Sequence, residues 1–198
     1  MSLAEVVLRR FLLLMVLPLG LAGCALETPV PTTGYMPFST FSNSIVGEDP
    51  SIEAINAATY AFAHPAAMQG HPARMAIAIA SLDAMAGQFA TGARWVGMNA
   101  LAKQEMLQAR SKVRRIMGIA PGAPSQVVVD ALVGAARQIR QDNRAGAIEA
   151  LQSAGFTRPA PMTLHLLARF PYVPLANHAT SFASQYVYPG GGMFPGFR

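Results

Sequence analysis

Prolines and glycines cut this chain into short apolar runs, and each run keeps a helical rather than a strand period. The cuts fall at Asp49-Pro50, His64-Pro65, Gly70-His71-Pro72, Gly118, Pro121-Gly122-Ala123-Pro124 and Gly155. Proline suits the first helical turn, where its missing N–H would have no partner, and it keeps the residue before it out of helical geometry. Between the cuts, apolar side chains return every three or four residues. The punctuation therefore predicts helices joined by short turns. The single β-branched run, Val127-Val128-Val129, lies inside a helical period.

Helix by helix, Asp49 is the predicted cap of a segment over 50–63. A second runs from Pro72 to about Thr91, with Met75, Ile79, Leu82, Met85, Ala86 and Phe89 as its inward stripe. Arg74 and Asp83 are its only charges, so most of its surface should be covered. A third spans 97–117 and ends at Gly118; Met98, Ala102, Met106, Ala109, Val113 and Ile116 line its inner face. Ser125 is the predicted cap of a fourth to about Gln141, and Asp142 that of a shorter fifth ending near Gly155. Two more cover 162–170 and 174–187. The expected fold is all-α: an irregular bundle of about six to seven helices over 50–188, behind an N-terminal tether at 24–49.

The chain has one cysteine, Cys24. Arg9 and Arg10 precede an apolar stretch from Phe11 to Leu21, and Ala22 and Gly23 lead into the cysteine. A charged start, an apolar centre and small residues at the cut form a secretory signal. A membrane-spanning helix is the weaker reading, because Pro18 and Gly20 interrupt a stretch about half the roughly 20 residues a bilayer needs. The block Leu21-Ala22-Gly23-Cys24 resembles the lipobox of bacterial lipoproteins. The resemblance covers the export segment alone. It implies cleavage between Gly23 and Cys24, removal of residues 1–23, and acylation of Cys24 with a diacylglyceryl group plus, usually, an N-acyl chain. One acyl chain holds a protein to a membrane only marginally, so stable attachment takes two or more. Ala25, rather than aspartate, follows the cysteine. By resemblance to other lipoproteins of double-membraned bacteria this favours the outer membrane, with the body facing the periplasm. Acylation would leave no thiol, which excludes disulfides and cysteine-ligated metals within the chain.

Thr28-Pro29-Val30-Pro31-Thr32-Thr33-Gly34 has the breaker content of a linker. A flexible tether of about 25 residues reaches roughly 25–30 Å. Tyr35, Met36, Phe38 and Phe41 fit that picture poorly and raise a second option, an arm packed back onto the domain. The tail at 189–198, with Gly190-Gly191-Gly192 and Phe194-Pro195-Gly196-Phe197, does not favour regular structure.

Signatures of chemistry are sparse. The sequence has no His-Glu-x-x-His, no Gly-x-Ser-x-Gly elbow, no phosphate-binding glycine loop and no dinucleotide fingerprint. Its carboxylates are dispersed; Glu48 and Asp49 are adjacent but precede a helix, where they favourably oppose its dipole. His64 and His71 flank one short turn, and a metal would need a further ligand such as Asp83 or His178; helix-end bonding is the simpler reading for them, and nothing assigns His165 a role. No cofactor, catalytic or metal-binding residue is assigned. The strongest charge feature is basic: Lys103, Arg110, Lys112, Arg114 and Arg115 on the third helix, with Glu105 as the acidic neighbour. It is a candidate contact face for anionic headgroups or an acidic partner, weighed against an ordinary solvated helix face. Nucleic acid is not an expected partner, since no stacking aromatics are interleaved. Trp95 is expected to plug a gap between helices.

The segments starting at Gly70 and Asp142 echo each other, and the second is similar to the start of the second helix in a tetratricopeptide repeat. The full repeat pattern and a third copy are absent. The functional expectation is a membrane-tethered envelope lipoprotein acting as a non-catalytic interaction or scaffolding module. The alternative is a module binding lipid or a small apolar ligand between helices, suggested by the many methionines.

Overall fold

Asp49 begins the ordered helices as its position before proline requires. Its Oδ1 accepts the Ser51 backbone N–H at 2.8 Å, and helix α1 runs Pro50–Ala63. Burial alone pushes the Asp49 carboxyl up, but the Ser51 amide and the Arg94 guanidinium beside it outweigh that and hold it below the ordinary carboxylate range. In this computed structural model the described residues are 31–41, 49–152 and 155–187. They contain eight α-helices and no strand.

After α1 come a one-turn helix α2 (Pro65–Met68), then α3 (Pro72–Thr91), α4 (Ala100–Met117), α5 (Ser125–Arg140), α6 (Arg144–Leu151), α7 (Ala160–Ala168) and α8 (Pro174–Ser184). Short 3-10 turns occupy Phe38–Phe41 and Ala93–Trp95. Proline stands at the first or second position of α1, α2, α3, α7 and α8. Gly118 closes α4 at φ 71°, a left-handed conformation that costs a Cβ-bearing residue energy. Beyond it, Ile119 and Phe156 form an isolated antiparallel bridge that ties the end of α4 to the start of the α7 region.

Two predicted caps are corrected. Ser125 is the first residue of α5, not its cap, and Pro124 precedes it. Asn143, not Asp142, caps α6: its Oδ1 accepts the Gly146 N–H at 3.0 Å while its Nδ2 donates to Gln138 Oε1 at 2.7 Å. Asp142 instead makes the reversal out of α5, at φ 54°. Aspartate is among the few residues that tolerate that region.

Helix α3 is the axis of the bundle. It packs against α1, α4, α5 and α7, while α8 closes over α1 and α4, and α6 over α5 and α7. Every residue from Met75 to Phe89 is buried. The stripe expected from the sequence is therefore the most apolar part of a helix covered on all sides, as its lack of charge requires. Alanines at 76, 78, 80, 84 and 86 let neighbouring helices approach closely. Phe89 is fully buried and meets Trp95 edge-on at 4.9 Å, so Trp95 plugs the α3–α4 turn as expected.

The segment read as a tether divides. Residues 31–41 lie along α3 as an arm between α1 and α5, running opposite to α3: Thr32 and Thr33 sit at Gly87, and Thr40 and Phe41 near Ile77. The breaker-rich composition misled because the arm is held by partners far away in sequence. Gln88 Nε2 donates to the Gly34 carbonyl at 2.8 Å, and the Tyr35 N–H donates to Gln126 Oε1 at 2.9 Å. Met36 is buried in the core. Gly87 makes the close approach possible, because a Cβ there would overlap the Thr32 carbonyl oxygen. Residues 24–30 and 42–48 of the expected tether, and the expected tail at 189–198, lie outside the described residues.

Candidate functional site

Charge inside the bundle is concentrated at one point. Asp83, on the fully covered axis helix, is 2 % exposed. A carboxylate there needs a partner, since burying an unpaired charge is costly. Arg114 supplies it through two parallel bonds, Nε to Oδ2 at 2.6 Å and Nη2 to Oδ1 at 2.7 Å. This forked geometry is the strong form of the arginine–carboxylate pair. The other terminal nitrogen of Arg114, Nη1, donates to the carbonyls of Ala123 at 2.8 Å and Pro121 at 3.2 Å, fixing the α4–α5 turn.

Ser125 and Thr32 complete the cluster. Ser125 Oγ lies 2.7 Å from Asp83 Oδ1 and 3.0 Å from the Thr32 carbonyl, so its one proton has two acceptors in reach. Thr32 Oγ1 accepts the Ser125 N–H at 2.9 Å. Arg110 Nη1 donates to the Thr32 carbonyl at 3.0 Å, and its Nε stands 3.8 Å from Asp83. Burial pushes the Arg110 guanidinium below its ordinary value; Asp83 pulls it up, and the neighbouring Arg114 cation pushes it down again. One carboxylate thus serves two guanidiniums, with backbone carbonyls and the Ser125 and Thr32 hydroxyls accepting further N–H groups. The cluster joins α3, α4, the start of α5 and the arm.

This overturns part of the expected basic contact face. Arg110 and Arg114 are buried, while Lys112 and Arg115 are exposed and Lys103 is partly exposed. The physical reason is helical phase. The buried positions of α4 are 102, 106, 109, 110, 113, 114 and 117, so both arginines flank the apolar stripe. The missed signal was Asp83, the one acidic residue of a helix otherwise charged only at Arg74, combined with two arginines one turn apart, which suit a shared acidic partner. Lys103 donates to the Val96 carbonyl at 3.4 Å, and Glu105 pairs with His178 Nδ1 at 2.9 Å.

The four histidines are all exposed. His64 stacks on Tyr60 at 4.6 Å and its Nδ1 lies 2.9 Å from the Tyr60 carbonyl, the helix-end role foreseen for it. Among the described residues no group of three His, Cys, Asp or Glu side chains is placed to hold a metal ion. Asp83 is committed to arginine rather than to a histidine pair. No helix of the described residues is long and apolar enough to cross a membrane. Gly23 and Cys24, the expected cleavage and acylation positions, lie outside the described residues.

The described surface includes two grooves open to solvent. One, of about 320 Å³, has Pro72, Ile139, Leu164 and Ala168 as its apolar lining, with Asp142, Arg144 and His165 at hand. The other, of about 280 Å³, lies between α1, α3, the end of α5 and the arm. No protein-family model, curated protein or solved structure matches this chain.

Proposed function

We propose that the protein is a lipid-anchored lipoprotein of the bacterial envelope whose helical body is a non-catalytic interaction or scaffolding module. The observation that carries this reading is the block Leu21-Ala22-Gly23-Cys24 behind a charged and apolar signal. The outer membrane is the favoured site, with the body on the periplasmic side. The docked arm bears on how such a module would work. Seven peptide units join Cys24 to Pro31, a contour length of at most about 25 Å.

Intact-mass spectrometry of the native protein tests the anchor: cleavage before Cys24 with two or more acyl chains is expected, and an unmodified full-length chain in the soluble fraction would refute it. Crosslinking in intact cells followed by purification tests the module. Recurrent capture of one envelope protein is expected, and a chain that stays uncrosslinked throughout counts against scaffolding. The groove beside Leu164 favours a second reading, a module for a small apolar ligand, because its volume falls at the lower end of ligand pockets. That reading requires an apolar fluorescent probe to bind and Leu164→Arg to abolish binding.

A further inference from the structure

The groove between α1, α3 and the arm holds two cations, and the fold accounts for one of them: Arg140 stands in the last turn of α5, where a positive charge favours the helix dipole. Arg74 and Arg140 line it together with Tyr60, Phe41, Met68 and Ile77, and no carboxylate is among its described lining residues. Neither arginine forms an ion pair with a described carboxylate. Arg74 rests over the Tyr60 ring, 5.4 Å from its centroid, which orients the cation without neutralising it. It also stands in the first turn of α3, where a positive charge opposes the helix dipole, so helix stability does not account for it. Apart from the Thr40 hydroxyl, the remaining lining of the groove is apolar or aromatic. On the same 3-10 turn as Phe41, Phe38 is 78 % exposed. Two cations over an apolar floor, edged by exposed aromatic rings, match a phosphate attached to an aliphatic body at a membrane–water interface.

We propose that this groove seats the phosphate of an anionic phospholipid headgroup between Arg74 and Arg140, with Tyr60 and Phe38 at the acyl-chain boundary. The proposal rests on the envelope reading for its source of lipid. The arm that walls the groove is continuous with the anchored residue, so the headgroup would come from the membrane that carries Cys24. Its occupancy would fix which face of the bundle lies toward the bilayer.

The test uses the purified chain in mixed micelles containing equal amounts of phosphatidylglycerol and phosphatidylcholine, read by native mass spectrometry for lipid retained per chain. One retained phosphatidylglycerol is expected, in preference to phosphatidylcholine. Arg74→Gln and Arg140→Gln should each lower that preference roughly tenfold, the loss of one charge-assisted contact. Arg137→Gln, one turn from Arg140 and outside the groove, should leave it unchanged. Both groove arginines are exposed, so neither substitution threatens folding. Equal retention of both lipids, a preference unaltered by the two groove variants, or displacement by millimolar inorganic phosphate as effective as by lipid would overturn the proposal. The acyl mass at Cys24 is read in the same spectrum. A chain that lacks acyl groups yet retains phosphatidylglycerol refutes the anchor and keeps the groove, and an acylated chain without that preference does the reverse.

Discussion

Helix α4 carries two pairs of cations that look alike in the sequence and end in opposite environments. Arg110 and Arg114 are buried around Asp83, whereas Lys112 and Arg115 are exposed. All four lie within six consecutive residues, so local composition does not separate them. Helical phase does: positions 110 and 114 share a face with Met106, Val113 and Met117, and 112 and 115 do not. A cluster of like charges is thus two features superimposed, one a structural clasp and the other a solvated edge.

The contrast breaks first at Asp83. Asp83→Ala strands two guanidiniums in the interior and should destabilise the fold by about 3–5 kcal/mol in urea unfolding; a loss under about 1 kcal/mol would mean that water reaches the cluster. Next comes a difference between the two buried arginines. Arg114→Met removes two short bonds to Asp83 and should cost about 3 kcal/mol. Arg110→Met removes a more distant and partly self-opposed cation and should cost about 1 kcal/mol. Equal costs would show that the carboxylate is shared evenly.

Gly87→Ala probes the arm without touching a charge. The new methyl group meets the Thr32 carbonyl, so the arm must move, at about 1–3 kcal/mol. Amide exchange at residues 33–36 should rise while α3 stays protected; unchanged exchange there would show that the arm adapts in place. On the exposed edge, Lys112→Ala and Arg115→Ala should change stability by no more than about 0.5 kcal/mol. The smallest effect concerns pH. The depressed Asp49 carboxyl adds stability above its unfolded value of about 4, and that contribution fades as pH falls through the folded value. Arg94→Ala should therefore lower stability slightly at neutral pH, leave it unchanged where the carboxyl is protonated in both states, and flatten the fall between the two; an unaltered acid limb would show that the Ser51 amide alone sets Asp49.

Much of the helical pattern was legible, because the signals that start and stop helices are local. Asp49 before Pro50, His71 before Pro72 and Gly118 after α4 act through their own backbone geometry. The inward stripe of α3 was legible for the same reason. Asp142 was misassigned because cap and turn residues share one chemistry, and only the path out of α5 decides between them. The arm was harder. Thr32, Gly34 and Tyr35 are held by Arg110, Ser125, Gln88 and Gln126, whose approach no short window reveals. The α2 turn at Pro65–Met68 is too short to leave a period. Of the candidate site, the basic cluster was visible as charge, but its division into inside and outside needed Asp83 to be placed.

The clasp at Thr32 has a consequence for the order of assembly. Its partner Ser125 comes 93 residues later in the chain. A polypeptide that emerges amino end first must therefore wait until the fourth long helix has appeared before its leading strip can lie down. Until then the underside of the axis helix stays bare, and a chaperone that recognises uncovered alanine and methionine side chains would find a target there.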